Sequence, residues 1–215
     1  MAKLLRPKGD RYYGRAARAY NAKRQKQEWW HVEHEEMRDL LAGLPKKLKV
    51  VDIPFGTGRF APLYKAREHF VSGLEISEDM VAAAKRALGE DFEQCDVKIG
   101  DARQTPFPDA AFDLLVSTRF LNNIISFRDA RKALAEFARI TKTYAIIQLG
   151  HTNATARTPA EDEAMACFMS PDAVTNLLRT HGFEPVDRRL VVANPETSNE
   201  IFHFLCHRIP AEPVA

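Results

Sequence analysis

Three carboxylates each end a short run of apolar residues, where their side chains could accept hydrogen bonds from a bound ligand. They are Asp52, Glu75 and Asp101, which close the runs within 48–53, 70–76 and 95–101. An acid at the second position can accept hydrogen bonds from both ribose hydroxyls, and one at the third from an adenine amino group. Each acid alone is more typical of a surface residue or helix cap. Three at matching positions indicate a nucleoside-binding site.

A glycine turn follows the first of these acids. It reads Pro54-Phe55-Gly56-Thr57-Gly58 and leads into a helical segment near 60–67. A strand that passes through such a turn into a helix brings backbone N–H groups close to a nucleotide-like ligand. Gly56 and Gly58 lack the Cβ that would fill the space beside that ligand. A plain strand-to-helix turn has the same pattern, so the glycines indicate a ligand site only together with the three acids.

The charges of these residues distinguish two kinds of adenosine cofactor. A dinucleotide carries a doubly negative pyrophosphate, whereas S-adenosylmethionine carries a sulfonium and an ammonium group and no phosphate. An acid-lined pocket therefore favours S-adenosylmethionine. The turn also has Ala61 in place of the third glycine of the dinucleotide fingerprint, with Pro54 before its glycines. We expect no binding of NAD.

The elements that must position these residues alternate between strands and helices. Strands are predicted at 48–53, 70–76, 95–99, 112–117 and 144–149, with helices between most of them, including one that Ser77 opens and one at 128–140. This alternation predicts βαβ units and a parallel sheet covered on both faces. A helix from Ser170 and two antiparallel strands, 185–192 and 200–207, complete the chain.

The charge of the chain is unevenly distributed. The formal net charge is +2, but the segment through residue 26 has nine basic residues and one acid, so this arm carries +8 and the remainder −6. Such an arm could attract a polyanion, such as RNA or a phosphorylated saccharide. A solvated helical face is the simpler interpretation, and both stay open.

Composition excludes several classes of protein. The longest uncharged apolar stretches are a few residues long, so we expect no membrane span, and the basic N-terminus lacks the apolar region of a secretory signal. The three cysteines are far apart and form no metal-binding motif, which is typical of a cytoplasmic protein. We expect no metal cofactor.

The chain resembles the class I S-adenosylmethionine-dependent methyltransferases of the small-molecule type, related to quinone-biosynthesis enzymes. The resemblance rests on the segment 51–58, on Glu75, on the helix start at 77–80, and on Gly100-Asp101-Ala102 followed by 106–109 and 112–115. One departure is Pro54, because most members have glycine there. Proline fixes φ and removes an amide donor.

The resemblance implies a doubly wound α/β fold. Its seven-stranded sheet would have the order 3-2-1-4-5-7-6 with strand seven antiparallel, in a domain at 46–215 that follows a basic arm and two lid helices in 1–45. S-adenosylmethionine would be the cofactor and S-adenosylhomocysteine its product. The residues expected to bind the cofactor are Asp52, Pro54, Phe55, Gly56, Gly58, Glu75, Ile76, Met80, Asp101, Ala102 and Ser117.

The acceptor side carries fewer signals. The segment after strand four lacks the Asn/Asp-Pro-Pro-Tyr/Phe motif and no cysteine lies in a Pro-Cys context, so methylation of adenine, glutamine or pyrimidine carbon is disfavoured. We expect a small-molecule or glycan-like acceptor methylated at oxygen; a polyanionic acceptor and a catalytically silent partner subunit are the alternatives. The acceptor-side candidates are His151 as general base, Arg119, and the binding residues Tyr20, Arg24, Asn122 and Asn123.

Overall fold

One mixed sheet organises the protein in the computed structural model, which describes residues 12–121, 126–154 and 168–209. Its seven strands have the order β3-β2-β1-β4-β5-β7-β6, and β7 is antiparallel to both of its neighbours. This arrangement confirms the predicted sheet. The strands are β1 (Lys49–Asp52), β2 (Phe70–Glu75), β3 (Cys95–Ile99), β4 (Phe112–Ser117), β5 (Thr141–Thr152), β6 (Phe183–Asn194) and β7 (Asn199–Arg208).

Seven α-helices surround the sheet within the described residues. They are α1 (Gly14–Arg18), α2 (Tyr20–Arg24), α3 (Glu28–Ala42), α4 (Ala61–Ala66), α5 (Glu78–Leu88), α6 (Phe127–Ile140) and α7 (Pro171–Thr180). A 3-10 helix, Gly89–Gln94, precedes β3. The prediction of two helices before β1 is wrong: from residue 12 onward there are three, because the backbone departs from helical geometry at Ala19 and becomes extended at Gln27.

Serine residues begin three of the longer helices. The side chains of Ser77, Ser126 and Ser170 accept hydrogen bonds from the backbone N–H groups three residues later, which satisfies a donor that the first helical turn leaves unpaired. Ser77 and Ser170 were both expected from the sequence as helix starts. None of the described helices is both long and apolar enough to cross a membrane.

Apolar side chains bury both faces of the sheet. On one face, Leu115 and Ile147 pack with Phe137 of α6 and Leu178 of α7. On the other, a second cluster joins the strands to α3 and α4; it includes Met37, Leu41, Val50, Tyr64, Leu114 and Ile146. Alternate residues of β4 and β5 thus face opposite layers, as the period of a strand requires. The rigid sheet fixes the positions of the loops at its carboxyl edge.

β5 differs most from its prediction. It extends from Thr141 to Thr152 and not from 144 to 149, because β4 pairs with it at Thr141 and β7 pairs with it continuously from Tyr144 to Thr152. The pairing places His151 opposite Glu200. His151 is therefore a residue within a strand and not one of the loop beyond it.

Candidate functional site

A cavity opens at the carboxyl edge of the sheet, where the strand order reverses between β1 and β4. The space within it is about 720 Å³ when the open mouth and its solvent are included, and it lies where doubly wound sheets bind ligands. Seven of the predicted cofactor residues line it: Asp52, Pro54, Phe55, Gly56, Glu75, Ile76 and Met80. The other four, Gly58, Asp101, Ala102 and Ser117, are absent from the described lining.

Glu75, the last residue of β2, is held by three backbone N–H groups. One carboxylate oxygen accepts from Ile76 and Ser77, each at 2.9 Å, and the other accepts from Gly56 at 2.9 Å. Burial nevertheless raises the pKa of this carboxyl, against the lowering effect of those bonds. The bonds fix the carboxylate beside the glycine turn, and the oxygens retain lone pairs that can accept from ligand hydroxyls.

Asp52, at the end of β1, has one carboxylate oxygen with a hydrogen-bond partner and one without in the described part of the chain. Its Oδ2 accepts a hydrogen bond from the Tyr64 hydroxyl at 3.0 Å, while Oδ1 is buried with no partner among the described residues. Burial raises the pKa of Asp52 to about 8, Tyr64 lowers it and the nearby Glu75 raises it further. A buried oxygen without a hydrogen-bond donor is costly, and a cation or N–H group of a ligand would satisfy it.

The two glycines of the turn have different roles. Gly56 has φ of +57°, and the nearest atom to a Cβ placed there would be the Met80 methyl carbon at 3.8 Å, so open space lies beside it. Gly58 has φ of +68°, but its Cβ would lie 2.5 Å from a Leu88 methyl carbon and 2.9 Å from the Phe55 ring. The positive φ favours glycine at both positions; Gly56 also borders open space of the cavity, whereas at Gly58 a Cβ would also collide with packed side chains.

Asp101 is engaged by a neighbour and does not line the described cavity. Its carboxylate accepts from the backbone N–H and the guanidinium of Arg103, at 2.6 to 3.1 Å, and Arg103 also bonds to Asp129. Burial alone would raise the pKa of Asp101, but Arg103 brings it below the ordinary value. Binding of adenine by Asp101 and Ala102 therefore stays a prediction.

Arg119 follows β4 and belongs to a buried ionic cluster that includes Glu33, Arg59 and Gln148. Its Nε lies 3.1 Å from both oxygens of Glu33, and its backbone N–H donates to the Gln148 side chain at 3.0 Å. Arg59 also donates to Glu33, and the Gln148 side chain donates to Glu33 at 2.5 Å. Burial would raise the pKa of Glu33, but the two arginines hold it low. Arg59 and Arg119 both line the cavity.

The leading helices cover the cavity. Tyr12 and Tyr20 line it, and the Ser77 hydroxyl donates to the Tyr12 carbonyl oxygen at 2.6 Å. The Thr57 hydroxyl, in the glycine turn, donates to the Asn21 side chain at 2.7 Å. Arg24 lies over the ring of Tyr20 and outside the described lining. These contacts tie α2 to the glycine turn, and the segment before α1 to the residue that begins α5.

His151 lies apart from the described lining. Its ring stacks on Phe202 with centroids 4.7 Å apart, its side chain is buried, and Nε2 is 3.8 Å from a Glu200 oxygen. Burial lowers the pKa of His151, Glu200 raises it and Arg188 lowers it. The expectation that β5 ends before His151 was wrong, and the ring is packed against β7. Asn122 and Asn123, the other acceptor-side candidates, lie outside the described residues.

Two acids and a glycine turn line the cavity at the switch point of a doubly wound sheet. A comparison with protein families gives the type of domain that has this arrangement. Residues 51–148 match the model of the methyltransferase domain. This chain carries a class I S-adenosylmethionine-dependent methyltransferase domain. The cofactor of the domain is thus S-adenosylmethionine, as the acid-lined pocket predicted, and the described residues contain no cluster of three or more metal-binding side chains.

Curated relatives support the same assignment. The chain is 34% identical to a malonyl-[acyl-carrier protein] O-methyltransferase of Erwinia pyrifoliae, over 60% of the chain and 45% of that protein. It is 27% identical to the O-methyltransferase cnsE of Penicillium expansum, over 71% and 58% of the two chains. A ubiquinone/menaquinone biosynthesis C-methyltransferase of Laribacter hongkongensis is 34% identical over 47% of the chain and 41% of its own length. The matches thus span about half the length of these relatives.

Solved structures share the fold. A 1,6-didemethyltoxoflavin-N1-methyltransferase of Burkholderia thailandensis, with S-adenosylhomocysteine bound, has a TM-score of 0.65 at 16% identity, covering 98% of this chain and 93% of that one. The [4+2]-cyclase SpnF has a TM-score of 0.64 at 17% identity, covering 82% and 81%. A cyclase with this fold shows that the fold alone does not specify methyl transfer.

Several lining residues were not expected from the sequence. Arg59, Trp30, Phe60 and Phe120 line the cavity, and Glu33 lies behind Arg59 and Arg119. Glu33 stands in an acidic stretch that is typical of a solvated face. The signal that could have revealed it is its spacing, because it falls on the same stripe of α3 as the buried residues Trp30 and Met37.

Proposed function

We propose that this protein transfers the methyl group of S-adenosylmethionine to an oxygen atom of a small-molecule acceptor. The observation that carries the proposal is the cavity: a buried acid with an unpartnered oxygen and an immobilised Glu75 line one continuous space with aromatic side chains and two arginines. The relatives named as O-methyltransferases support oxygen as the acceptor atom.

The residues present fit the cofactor. Asp52 has an oxygen free for the ammonium group, Glu75 can accept from the ribose hydroxyls, and the open space at Gly56 lets the cofactor approach the backbone. When bound, S-adenosylmethionine supplies an electrophilic methyl group on its sulfonium. The protein's part is to hold the acceptor oxygen about 3 to 3.5 Å from that carbon, in line with the breaking bond, and to exclude water.

The leading helices suit the exclusion of water. Tyr12 and Tyr20 cover the cavity, and the bonds from Thr57 to Asn21 and from Ser77 to Tyr12 hold this cover closed over the glycine turn. A polyanionic acceptor bound to the basic arm stays an alternative hypothesis. Arg15, Arg18 and Lys23 of the described part are exposed, as both that role and a solvated face require.

The proposed function is tested in two steps. Titration calorimetry with S-adenosylmethionine, S-adenosylhomocysteine and NAD should give binding of the first two and none of NAD. Incubation of the protein and methyl-labelled S-adenosylmethionine with a fractionated cell extract should then give a labelled small molecule whose methyl group mass spectrometry places on oxygen. Cofactor binding without any labelled product would favour the silent partner subunit, and label in RNA or saccharide would favour the polyanionic acceptor.

Asp52 should make cofactor binding depend on pH. With a pKa of about 8, roughly nine-tenths of Asp52 is protonated at pH 7 in the free protein. The cationic cofactor stabilises the ionised form, so binding at pH 7 should release close to one proton from this site, and affinity should rise as pH approaches 8. Calorimetry in two buffers of different ionisation enthalpy measures the protons released.

The control for this prediction is a variant that cannot ionise. Asp52→Asn keeps an oxygen for the Tyr64 hydroxyl and should release about one proton fewer than the wild type. Asp96→Asn, which changes an exposed acid of β3, should behave like the wild type. Equal proton release by the wild type and Asp52→Asn would show that Asp52 does not respond to the cofactor.

His151 gives a second prediction, on the chemical step. A general base typically increases the rate of the chemical step by about 10²- to 10⁴-fold. Because its ring is buried against Phe202, we expect His151→Ala to leave turnover within about threefold of the wild type, with the same pH profile. Steady-state rates between pH 5.5 and 8 measure this. A drop of 100-fold or more, with cofactor affinity unchanged, would restore His151 as the base.

A further inference from the structure

The positive charges of the cavity come from two arginines. Arg59 lies in the turn before α4 and Arg119 follows β4, and no other residue of the described lining is a lysine or an arginine. Glu33, which is fully buried, is the one described acid that pairs with both. One positive charge is thus in excess, in a space where charge pairing is stronger than at the protein surface.

The cofactor has a negative charge that could balance this excess. Its amino-acid end carries a carboxylate and an ammonium group on one carbon atom, so the protein groups that bind them must lie close together. Asp52, whose unpartnered oxygen fits the ammonium group, pairs with Val116 of the neighbouring strand β4. Arg119 comes three residues after Val116 and lines the same cavity as Asp52. An acid and an arginine therefore meet at the edge of two adjacent strands.

Arg119 has more hydrogen-bond donors to offer a ligand than Arg59 has. Arg59 donates from one terminal nitrogen to Glu33 and from the other to the Trp30 carbonyl oxygen. Arg119 donates to Glu33 from Nε alone, and its two terminal nitrogens have no hydrogen-bond partner among the described residues. The terminal N–H groups of a guanidinium can hold both oxygens of a carboxylate in a bidentate pair.

Several contacts fix the direction of the Arg119 side chain. Its backbone has φ of +54°, which side chains rarely adopt, and its N–H donates to the Gln148 side chain at 3.0 Å. Its guanidinium carbon lies 3.5 Å from the centre of the Trp29 ring, and Nε is 3.1 Å from both oxygens of Glu33. Such backbone conformations persist where the surroundings hold them, and they cluster at ligand sites. Glu33 thus orients Arg119 as well as pairing with it.

We infer that Arg119 binds the carboxylate of S-adenosylmethionine and that Glu33 of α3 is the residue that positions Arg119. This inference deepens the proposed function and rests on it. Asp52 and Arg119 then hold the two opposite charges of the amino-acid end, so the site selects a cofactor that has both. An analogue without the carboxylate would leave the excess positive charge of the arginines unpaired.

A matched pair of ligands tests the selection. S-adenosylhomocysteine and decarboxylated S-adenosylhomocysteine differ only in the carboxylate, and both keep the ammonium group. In titration calorimetry, S-adenosylhomocysteine should bind at least about tenfold more tightly than the decarboxylated analogue. Equal affinities would overturn the inference. Absence of binding of either ligand would instead contradict the proposed function, so the two failures are distinguishable.

Variants of Arg119 test whether this residue is responsible. Arg119→Gln should abolish the preference for S-adenosylhomocysteine, because glutamine has neither the charge nor the two terminal N–H donors. The decarboxylated analogue should bind this variant at least as tightly as it binds the wild type, which shows that the variant is folded. Arg38→Gln, which removes an exposed arginine of α3, should keep the full preference. A full preference in Arg119→Gln would exclude the assigned residue.

Glu33→Asp separates positioning from charge. Aspartate keeps the charge of the cluster but withdraws the carboxylate from Nε of Arg119 by one methylene, so the preference should fall at least about threefold while the decarboxylated analogue binds as before. A merely structural role of Glu33 would weaken the binding of both ligands equally. Glu35→Asp, at an exposed acid of the same helix, should keep the full preference. A full preference in Glu33→Asp, or equal weakening of both ligands, would overturn the positioning role.

Discussion

Replacement of Glu75 by glutamine is expected to weaken S-adenosylhomocysteine binding at least about tenfold while the protein stays folded. The glutamine oxygen can accept from Ile76 and Ser77, as one carboxylate oxygen now does. The NH₂ group replaces the oxygen that accepts from the Gly56 N–H, so that two donors face each other there. At that position the side chain also has no acceptor for the ribose hydroxyls. Calorimetry gives the affinity, and Glu78→Gln, at an exposed acid three residues later, is the control.

Alanine at the same position should act differently. It leaves three backbone N–H groups without their acceptor, and each buried unsatisfied donor costs about 1 to 3 kcal/mol. Glu75→Ala should therefore lower the free energy of unfolding by more than about 3 kcal/mol in urea denaturation without ligand. If Glu75→Gln binds S-adenosylhomocysteine as tightly as the wild type does, the acid does not contact the ribose. If Glu75→Ala is as stable as the wild type, the acid does not support the turn.

The part of the cavity lining beside the glycine turn could be predicted because its determinants are local. Asp52 and Glu75 end their strands, and each is followed directly by a turn or helix that contributes residues to the cavity. A motif of a few neighbouring residues is visible in sequence, since strand ends and helix starts have their own residue preferences. The sheet order followed from the family resemblance.

The ionic cluster of Glu33, Arg59, Arg119 and Gln148 depends on contacts that are distant in sequence. Arg119 meets Glu33 across 86 positions, and Gln148 meets it across 115. No local pattern links these residues, and a carboxylate in an acidic helix indicates a solvated face. Only the tertiary fold, which places Glu33 of α3 beside Arg119 and Gln148, brings the three together.

His151 shows how tertiary pairing overrides a local strand boundary. The sequence from 149 to 151 suggests that the strand ends, because glycine weakens a strand. β7 continues to pair beyond Gly150, however, and extends β5 through Thr152. The added length turns an expected loop histidine into a buried residue of the sheet.

Acid should destabilise the protein through His203, a fully buried residue of β7 paired with Gln148. Neither ring nitrogen has a partner among the described residues. Burial lowers the pKa of His203 to about 4, Glu33 raises it, and Arg59 and Arg119 lower it. Because the unfolded chain binds this proton with a pKa of about 6.5, stability is present above pH 6.5 and is lost as pH falls toward 4.

The expected loss is large enough to measure. One proton bound only by the unfolded state costs about 1.4 kcal/mol per pH unit, so the wild type should lose about 3 kcal/mol through this residue between pH 6.5 and 4. His203→Leu, which removes the titrating ring and two unpaired nitrogens, should not show this loss, whereas His207→Leu, at an exposed position of the same strand, should retain it. Other buried histidines titrate in all three proteins and cancel in the differences. Urea denaturation at a series of pH values gives the curves. Parallel curves for the wild type and His203→Leu would mean that the folded protein protonates His203 as readily as the unfolded chain does, with Glu33 as its counter-ion.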